Sequence, residues 1–304
     1  MFTKKSKAAA VSIASNTALI LLKLIAGMIT GSVSLIAEAI HSTMDLAAAI
    51  VAFISVRVAD RPPDKKHHFG HGKAENISGV IEGVLIFVAA IIIINEAIHR
   101  LIEGVTLEYL ELGITVMAIA VVVNIIVSRY LLRVSRATDS LALEADAAHL
   151  TTDVMTMLGV FIGLIVVRLT GIYILDPIIA ILVALLIIKA AYDITKKSFG
   201  GLIDVSLPDS EEELIRSCIM DHRNKLVGFH KLRTRKAGSQ RQIDFHMVIP
   251  RSTSVDDAHN LCNHLEKAII ELLDDTEVTI HTEPCNVDCK RCLVIGCVIR
   301  QTGN

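Results

Sequence analysis

Long apolar segments with almost no charged residues dominate the first two thirds of the chain. Between residues 8 and 56 the only Asp, Glu, Lys or Arg residues are Lys23, Glu38 and Asp45, and residues 112–128 contain none of these four types. An apolar helix of about 20 residues is long enough to cross the hydrocarbon core of a bilayer. In the last third, charges are frequent and apolar and polar residues alternate as in strands. The sequence therefore predicts a polytopic α-helical membrane domain followed by a separate α+β domain.

Six apolar segments have the length of a membrane span. They cover residues 8–29, 34–58, 77–99, 112–131, 140–169 and 172–194. A buried core helix is the alternative for the shorter segments, but six in succession favour six transmembrane helices. No cleavable signal peptide is expected, because the first apolar run is longer than a signal core and lacks a clear small-residue cleavage site.

Lys and Arg residues are distributed unequally between the two sides of these spans. They cluster at the N-terminus and in the segments after spans 2, 4 and 6, whereas the other side has two short turns and an acidic loop around residues 100–111. Loops rich in Lys and Arg face the cytoplasm. With six spans, both termini and the α+β domain are predicted to be cytoplasmic, and the membrane is expected to be the cell (inner) membrane.

The α+β part is predicted to form helix, strand, strand, helix and strand, an open sandwich of ferredoxin-like (metallochaperone-like) type. Its first helix begins at Pro208, with Asp209 or Ser210 as the cap, and residues 229–236 and 242–249 alternate as in a hairpin. The predicted parts are a cytoplasmic N-terminus (1–7), a six-span transmembrane domain (8–203), a ferredoxin-like cytoplasmic domain (204–284) and a Cys-rich tail (285–304).

The tail concentrates thiols at Cys285, Cys289, Cys292 and Cys297. Their spacing fits no fixed zinc-finger pattern, so a soft-metal or zinc site, a redox role and an unstructured end all remain open. The net charge of −2 gives no indication of nucleic-acid binding.

The pattern His-x-x-x-Asp occurs twice inside the predicted spans, as His41 with Asp45 in span 2 and His149 with Asp153 in span 5. Residues four apart share a helix face, so each span presents an imidazole and a carboxylate in one direction. Spans 2 and 5 run antiparallel, and at about 1.5 Å rise per residue the two pairs fall at overlapping depths. Together they supply four nitrogen and oxygen ligands, enough for a tetrahedral Zn²⁺ site. Ionisable residues inside a span typically mark an ion or proton path.

Three further ionisable residues inside these spans, Glu38, Asp146 and Lys23, are candidates for a role beside the ligands. Glu38 and Asp146 each precede one of the histidines by three residues and lie on the same helix faces. They either fix the imidazole tautomers by hydrogen bonds or line a pore and touch only water. Lys23 in span 1 either extends to the interface or pairs with a carboxylate.

Protonation of the four ligands predicts a mechanism. A histidine must be neutral and an aspartate ionised to hold a metal. An unperturbed histidine titrates near ~6.5, so cytoplasmic pH and a lower external pH favour different states. Protons from outside would displace the metal, and the emptied site would release them inside. This cycle is metal/proton antiport by alternating access.

The combination of motifs resembles the cation diffusion facilitator family, the zinc-transporter exporters. Besides the two His-x-x-x-Asp pairs, it includes His68-Phe-Gly-His-Gly-Lys-Ala-Glu75 after span 2 and Leu232-Arg-Thr-Arg235 in the cytoplasmic domain. The resemblance extends to about residue 284. It implies a homodimeric divalent-metal exporter driven by protons, with Zn²⁺ as transported and regulatory ion and no organic cofactor. Two His and two Asp favour zinc over harder cations.

The resemblance also implies roles for residues outside the spans. It places a peripheral metal site in the loop after span 2, a metal cluster in the cytoplasmic domain, and an ion pair that locks the membrane domains of the dimer. The residues are Asp64, His67 and His71 for the loop; His230, His246, His259, His281 and Glu283 for the cluster; and Lys73 and Asp204 for the ion pair. Lys65 and Lys66 disfavour a cation in the loop, where a solvated loop is the alternative.

Three rival functions remain open at this point. The first is an exporter of Fe²⁺, Mn²⁺, Co²⁺ or Cd²⁺ on the same scaffold. The second is a membrane-anchored metal sensor, which would carry no flux. The third is a metalloenzyme, which is disfavoured because no Ser or Cys nucleophile accompanies the buried pairs. The expected partners are a divalent metal ion, protons, the lipid bilayer and a second copy of the chain, without nucleic acid.

Overall fold

The computed structural model describes residues 3–30, 33–103, 111–170, 174–222 and 225–285. The side chains of some helical residues, Glu38 and His41 among them, lie outside this description, as do Cys289, Cys292 and Cys297. The chain divides into two compact units, Met1–Leu202 and Ile203–Asn304.

Six long helices make up the described part of the first unit. They are α1 (Lys4–Thr30), α2 (Val33–Ala59), α3 (Lys73–Glu103), α4 (Glu111–Thr138), α5 (Leu141–Thr170) and α6 (Leu175–Leu202). The shortest has 27 residues and the longest 31, so at ~1.5 Å per residue each is roughly 40 Å long or more. That length exceeds the ~30 Å thickness of a bilayer's hydrocarbon core.

Within the described residues, four segments are both long enough and apolar enough to cross a membrane. They are Lys4–Ala26, Lys73–His99, Thr115–Thr138 and Pro177–Leu202. Large apolar side chains such as Ile92, Ile126 and Leu186 are more than half exposed, whereas polar side chains such as Glu82 and Asp146 are buried. Apolar residues outside and ionisable residues inside are the arrangement that a lipid environment favours.

Small residues allow the first-unit helices to pack closely. A Cβ atom added at Gly79 would lie 2.2 Å from Ser198 Oγ, and one at Gly83 would lie 2.2 Å from Thr195 Oγ1. Both glycines are on α3 and both hydroxyls are on α6. The glycines therefore bring these two helices into backbone-level contact, as small residues do in membrane bundles.

The second unit has the predicted order of helix, strand, strand, helix and strand. Its elements are α7 (Asp209–Asp221), β1 (Gly228–Ala237), β2 (Gln240–Ile249), α8 (Val255–Leu272) and β3 (Thr276–Pro284). The sheet order is β1-β2-β3, with β1 and β2 antiparallel and β2 and β3 parallel. A parallel pair needs a crossover, and α8 provides it.

One face of this sheet forms the core of the second unit. Along β2 every second side chain is buried, including Phe245 and Met247. These residues belong to the same apolar cluster as Ile219 of α7 and Leu265 of α8. The intervening residues of β2, His246 among them, therefore lie on the opposite face of the sheet.

The starts of the two helices of this unit differ. The Ser254 side chain caps α8 by accepting a hydrogen bond from the backbone N–H of Asp257, 3.1 Å away. The cap predicted for α7 is wrong. Pro208 occupies the cap position, and Asp209 and Ser210 already belong to the helix, with no side-chain cap among the described residues. Acidic side chains in the first turn of α7 stabilise its N-terminus instead.

Candidate metal centres

Helices α2 and α5 bring three potential ligands together inside the first unit. Ligand atoms of Asp45, His149 and Asp153 all lie within 4.8 Å of one another, and these three residues are called the bundle site below. His149 Nε2 lies 3.1 Å from Asp45 Oδ1. His149 and Asp153 are one helical turn apart on α5, so the shared face expected from four-residue spacing exists there.

The fourth predicted ligand of this site is His41. Its backbone belongs to α2, one turn before Asp45, while its side chain lies outside the described residues. The same holds for Glu38. Participation of His41 therefore stays a prediction, based on the face that it shares with Asp45.

The bundle site borders a cavity of about 380 Å³. Polar residues in its lining include Asn16, Lys23, Ser42, Asn124 and Thr152, together with Asp45 and Asp153. His149 itself is buried. A cavity of this size and polarity has room for a small hydrated ion.

Asp146 lies one turn from His149 but does not hydrogen-bond to its imidazole. Ser12 Oγ donates to Asp146 Oδ1 at 3.1 Å. Among the described residues, neither Asp146 Oδ2 nor His149 Nδ1 has a hydrogen-bond partner, although both atoms are buried. Buried polar atoms without protein partners are typically satisfied by water or an ion.

Glu82 on α3 is a buried carboxylate that the sequence analysis missed. Its exposed fraction is 0%, Ser78 Oγ donates to Oε1 at 3.1 Å, and the group interacts electrostatically with Asp146 and His149. A glutamate within the apolar segment 77–99 was the signal that could have identified it, because such residues are rare without a function.

A second group of ligands, the loop site, lies between α2 and α3. Ligand atoms of Asp64, His67 and His71 lie within 4.8 Å of one another. Asp64 Oδ1 is 3.2 Å from His67 Nδ1, and Asp64 Oδ2 is 3.4 Å from His71 Nε2. The His68 Nε2 atom instead lies 3.1 Å from the carbonyl oxygen of Lys65.

Backbone hydrogen bonds hold the Asp64 carboxylate in place. Its Oδ1 atom accepts from the N–H of Lys66 at 2.8 Å and from the N–H of His67 at 2.7 Å. These two donors lower the pKa of Asp64 below its ordinary value, because they stabilise the ionised form. The loop therefore presents an ionised carboxylate beside two imidazoles at neutral pH.

The third group, the sheet site, lies on the face of the sheet opposite the core. In the strand register His230 of β1 pairs with His246 of β2, which pairs with His281 of β3. Ligand atoms of His230, His246 and Glu283 lie within 4.8 Å of one another. A bulge follows His230, with Lys231 at a positive φ of 52°. A bulge re-aims neighbouring side chains, here at the sheet edge beside the site.

Glu283 links the histidines of this row. Its Oε1 lies 2.6 Å from His246 Nδ1 and 3.7 Å from His281 Nε2, and its Oε2 lies 3.3 Å from His230 Nε2. The hydrogen bond from His246, followed by the charges of His230, His246 and Lys231, lowers the pKa of Glu283. The carboxylate is thus ionised and central among three imidazoles.

His259 does not join this group in the structure. It lies on α8, and its Nε2 is 3.1 Å from Asn263 Nδ2 on the same helix. Neighbouring Ala258 and Leu261 pack into the core cluster, on the other side of the sheet from His246. Within one chain, His259 is therefore separated from the other four residues expected in the cluster.

The two residues expected to form the dimer lock have contacts within their own units. Lys73 Nζ donates to the carbonyl oxygen of Leu202 at 3.2 Å. Asp204 accepts from Arg235 Nη1 at 3.4 Å. Their role at a dimer interface stays a prediction.

Comparison with known proteins identifies two family domains that together cover most of the chain. The cation efflux transmembrane domain matches residues 9–203. The cytoplasmic domain of cation efflux proteins matches residues 207–285.

Individual relatives match over nearly the full length. The chain is 40% identical over 276 residues to an uncharacterized transporter of Synechocystis sp., covering 91% of this chain and 89% of that one. It is 32% identical over 282 residues to the cation-efflux pump FieF of Salmonella newport, covering 93% of each. Among solved structures, the zinc form of CzrB is 36% identical, with 28% of this chain and 94% of that chain matched and a TM-score of 0.26.

Proposed function

Because the chain belongs to the cation efflux family, also called the cation diffusion facilitators, we propose that it exports Zn²⁺ from the cytoplasm in exchange for protons. The family consists of integral membrane transporters of divalent metal cations rather than of enzymes. In this proposal α1 to α6 are the six spans, the second unit is a cytoplasmic ferredoxin-like domain, and the working form is a homodimer. Both termini are cytoplasmic, and the membrane is the cell (inner) membrane.

The observation that carries the proposal is the convergence of Asp45, His149 and Asp153 inside the helix bundle. An imidazole nitrogen and two carboxylate oxygens are ligands that Zn²⁺ accepts, and zinc sites in proteins are usually tetrahedral. His41, one turn before Asp45, supplies the fourth ligand. Mixed nitrogen and oxygen donors favour Zn²⁺ over Mg²⁺ or Mn²⁺, which prefer oxygen alone.

Proton exchange follows from the chemistry of these ligands. A proton on His149 Nε2 occupies the lone pair that would bind the metal, and a proton on Asp45 or Asp153 removes the negative charge. Metal and protons therefore compete for the same atoms. When the site faces the side richer in protons, it releases Zn²⁺ and becomes protonated. When it faces the cytoplasm, it releases protons and binds Zn²⁺ again.

The sheet site fits a regulatory or structural Zn²⁺ ion. Glu283 Oε1 and His246 Nδ1 are 2.6 Å apart, so a small shift would let both contact one ion, with His230 as a third ligand. Nitrogen and carboxylate donors match zinc chemistry here as well. A bound ion would neutralise the Glu283 charge and tie β1 to β3. The loop site offers a comparable but more exposed set in Asp64, His67 and His71.

Zinc flux into proteoliposomes tests this proposal. The unmodified protein is expected to carry Zn²⁺, and Asp153→Ala is expected to lose at least about 90% of the rate because a ligand is removed. Asp193→Ala, which changes an exposed residue of α6, serves as the control and is expected to keep its rate. Competition by Cd²⁺, Fe²⁺, Mn²⁺ and Co²⁺ ranks the ions. Zinc binding without any flux would contradict export and favour a sensor.

A further inference from the structure

Lys23 is a buried cation for which metal and proton exchange gives no role. It lies on α1, its exposed fraction is 3%, and its Nζ donates to Ser42 Oγ at 2.7 Å. Ser42 is buried as well, with 6% exposed. Burying an ammonium group inside a membrane bundle costs free energy, so such a group is usually offset by negative charge nearby.

Two carboxylates of the bundle site line the same cavity as Lys23. Ser42, its hydrogen-bond partner, precedes Asp45 by three residues on α2 and shares that helix face. Lys23, Ser42, Asp45 and Asp153 all line the same cavity of about 380 Å³. The ammonium group and the two carboxylates therefore border one continuous space.

Charge balance in this space changes when the metal leaves. A Zn²⁺ ion neutralises Asp45 and Asp153, and Lys23 then adds a positive charge that repels the ion. Without the ion, the same ammonium group stabilises the negative charge that remains on the two carboxylates. Such interactions are strong where the effective dielectric constant is low.

From this arrangement we propose that Lys23 is a tethered counter-cation of the transport site, which lowers its affinity for Zn²⁺ and speeds release of the ion. The inference deepens the proposed function and rests on it. The flexible four-carbon stem of lysine lets the ammonium group shift between Ser42 and the carboxylates. Release is thus assisted by a charge that the protein itself carries, in addition to protons.

A purely structural role for Lys23 predicts a different outcome. If the Lys23–Ser42 hydrogen bond only joins α1 to α2, removing it should loosen the bundle and leave zinc affinity unchanged or weaker. A counter-cation predicts the reverse, a gain of affinity on removal of the charge. Misfolding does not produce such a gain, so the two roles can be told apart.

The experiment measures Zn²⁺ binding calorimetrically with the full chain in lipid nanodiscs, together with zinc flux. Asp64→Ala and Glu283→Ala are present in every variant, so that the bundle site dominates the signal. Lys23→Gln keeps a hydrogen-bond donor but removes the charge, and Lys23→Met removes both. We expect each to bind Zn²⁺ about tenfold more tightly, as loss of one like charge at close range implies, and to turn over more slowly.

Lys23→Arg keeps the charge and is expected to restore the affinity to within about threefold of the parent. If Lys23→Gln folds with unchanged thermal stability but binds Zn²⁺ equally or less tightly, the inference is overturned. If only Lys23→Met is unstable, the Gln and Arg variants still decide. Failure of the proposed function would show itself separately, as absence of zinc flux in the protein with native Lys23.

Discussion

At the scale of single residues, one carboxylate organises the sheet site. Glu283 lies two residues after His281 on β3 and reaches histidines on all three strands, at 2.6 Å from His246, 3.3 Å from His230 and 3.7 Å from His281. The ring centroids of His230 and His246 lie 5.3 Å apart, and those of His246 and His281 lie 4.6 Å apart. Glu283 is therefore the residue whose loss should most directly weaken metal binding at this site.

Glu283→Ala tests this role. Removing the carboxylate leaves the imidazoles without a negatively charged ligand beside them, so the full-length protein should lose one equivalent of zinc. The measurement is the zinc content of the purified protein after dialysis against zinc at micromolar concentration. Glu277→Ala, on the same strand, is the control and should retain the metal. Equal zinc content in both variants would mean that Glu283 is no ligand.

The loop site gives a prediction about pH. The pKa of Asp64 is lowered by the backbone N–H groups of Lys66 and His67. A carboxyl whose folded pKa lies below its unfolded value stabilises the loop fully above the ordinary value near ~4, and the contribution is lost as pH falls through the lowered folded value. An NMR titration of metal-free protein should place the Asp64 midpoint below the ordinary aspartate value near ~4. A midpoint at or above the ordinary value would show that these hydrogen bonds do not hold the loop.

At the scale of elements, close contact between α3 and α6 depends on glycine. A Cβ atom at position 83 would lie 2.2 Å from Thr195 Oγ1 and 3.3 Å from the Ala191 carbonyl oxygen. Helix propensity alone would favour Ala over Gly by about 1 kcal/mol. Overpacking typically costs about 1–3 kcal/mol, so the steric effect should outweigh the gain in propensity.

Gly83→Ala is therefore expected to lower the thermal stability of the protein in detergent. Adding Thr195→Ala removes the hydroxyl that the new methyl group meets, and the double variant should recover most of the loss. The interaction free energy of this cycle should be about 1 kcal/mol, since contacting residues couple. If Thr195→Ala changes the thermal stability by the same amount with and without Gly83→Ala, the close contact at Gly83 is absent.

Several secondary-structure elements could be predicted from the sequence alone. Long apolar segments predicted all six helices of the first unit, and alternation predicted both hairpin strands, because burial of one face follows directly from periodicity. Four-residue spacing also placed His149 and Asp153 together. These features depend on neighbours along one element.

Features that depend on packing between elements were harder to foresee. Within one chain α8 packs on the core face of the sheet, away from His246, so the place of His259 in the metal cluster stays a prediction. Glu82 was overlooked because its electrostatic interaction with Asp146 and His149 joins two helices that are far apart in the sequence. The cap of α7 was misplaced by one or two residues, a common error because proline, aspartate and serine all occur near helix starts.

At the scale of the whole molecule, ionisable residues are placed according to the environment of each unit. In the first unit carboxylates such as Asp146 and Glu82 are buried, while isoleucine and leucine side chains are exposed. In the second unit the core is apolar and the ligand groups lie on the open face of a sheet. The first arrangement suits lipid and the second suits water.

The proposed membrane topology, six spans with both termini in the cytoplasm, can be tested with reporter fusions. A reporter that is active only in the cytoplasm should be active when it is fused at residue 1 and when it is fused at residue 304. The reason is that an even number of spans returns the chain to the side where it began. A fusion within residues 104–110 should instead be active with a reporter that requires the external side. Opposite locations for the two termini would mean that one of the six helices does not cross the membrane.

Coupling of zinc to protons at the bundle site is the central claim, and one measurement tests it most directly. Proteoliposomes that enclose a pH-sensitive dye are given a zinc gradient, and the unmodified protein is compared with Asp153→Ala. We predict that zinc movement through the unmodified protein is accompanied by proton movement in the opposite direction, and that both disappear in the variant. Zinc movement without a pH change, or coupled movement that survives in Asp153→Ala, would contradict the claim.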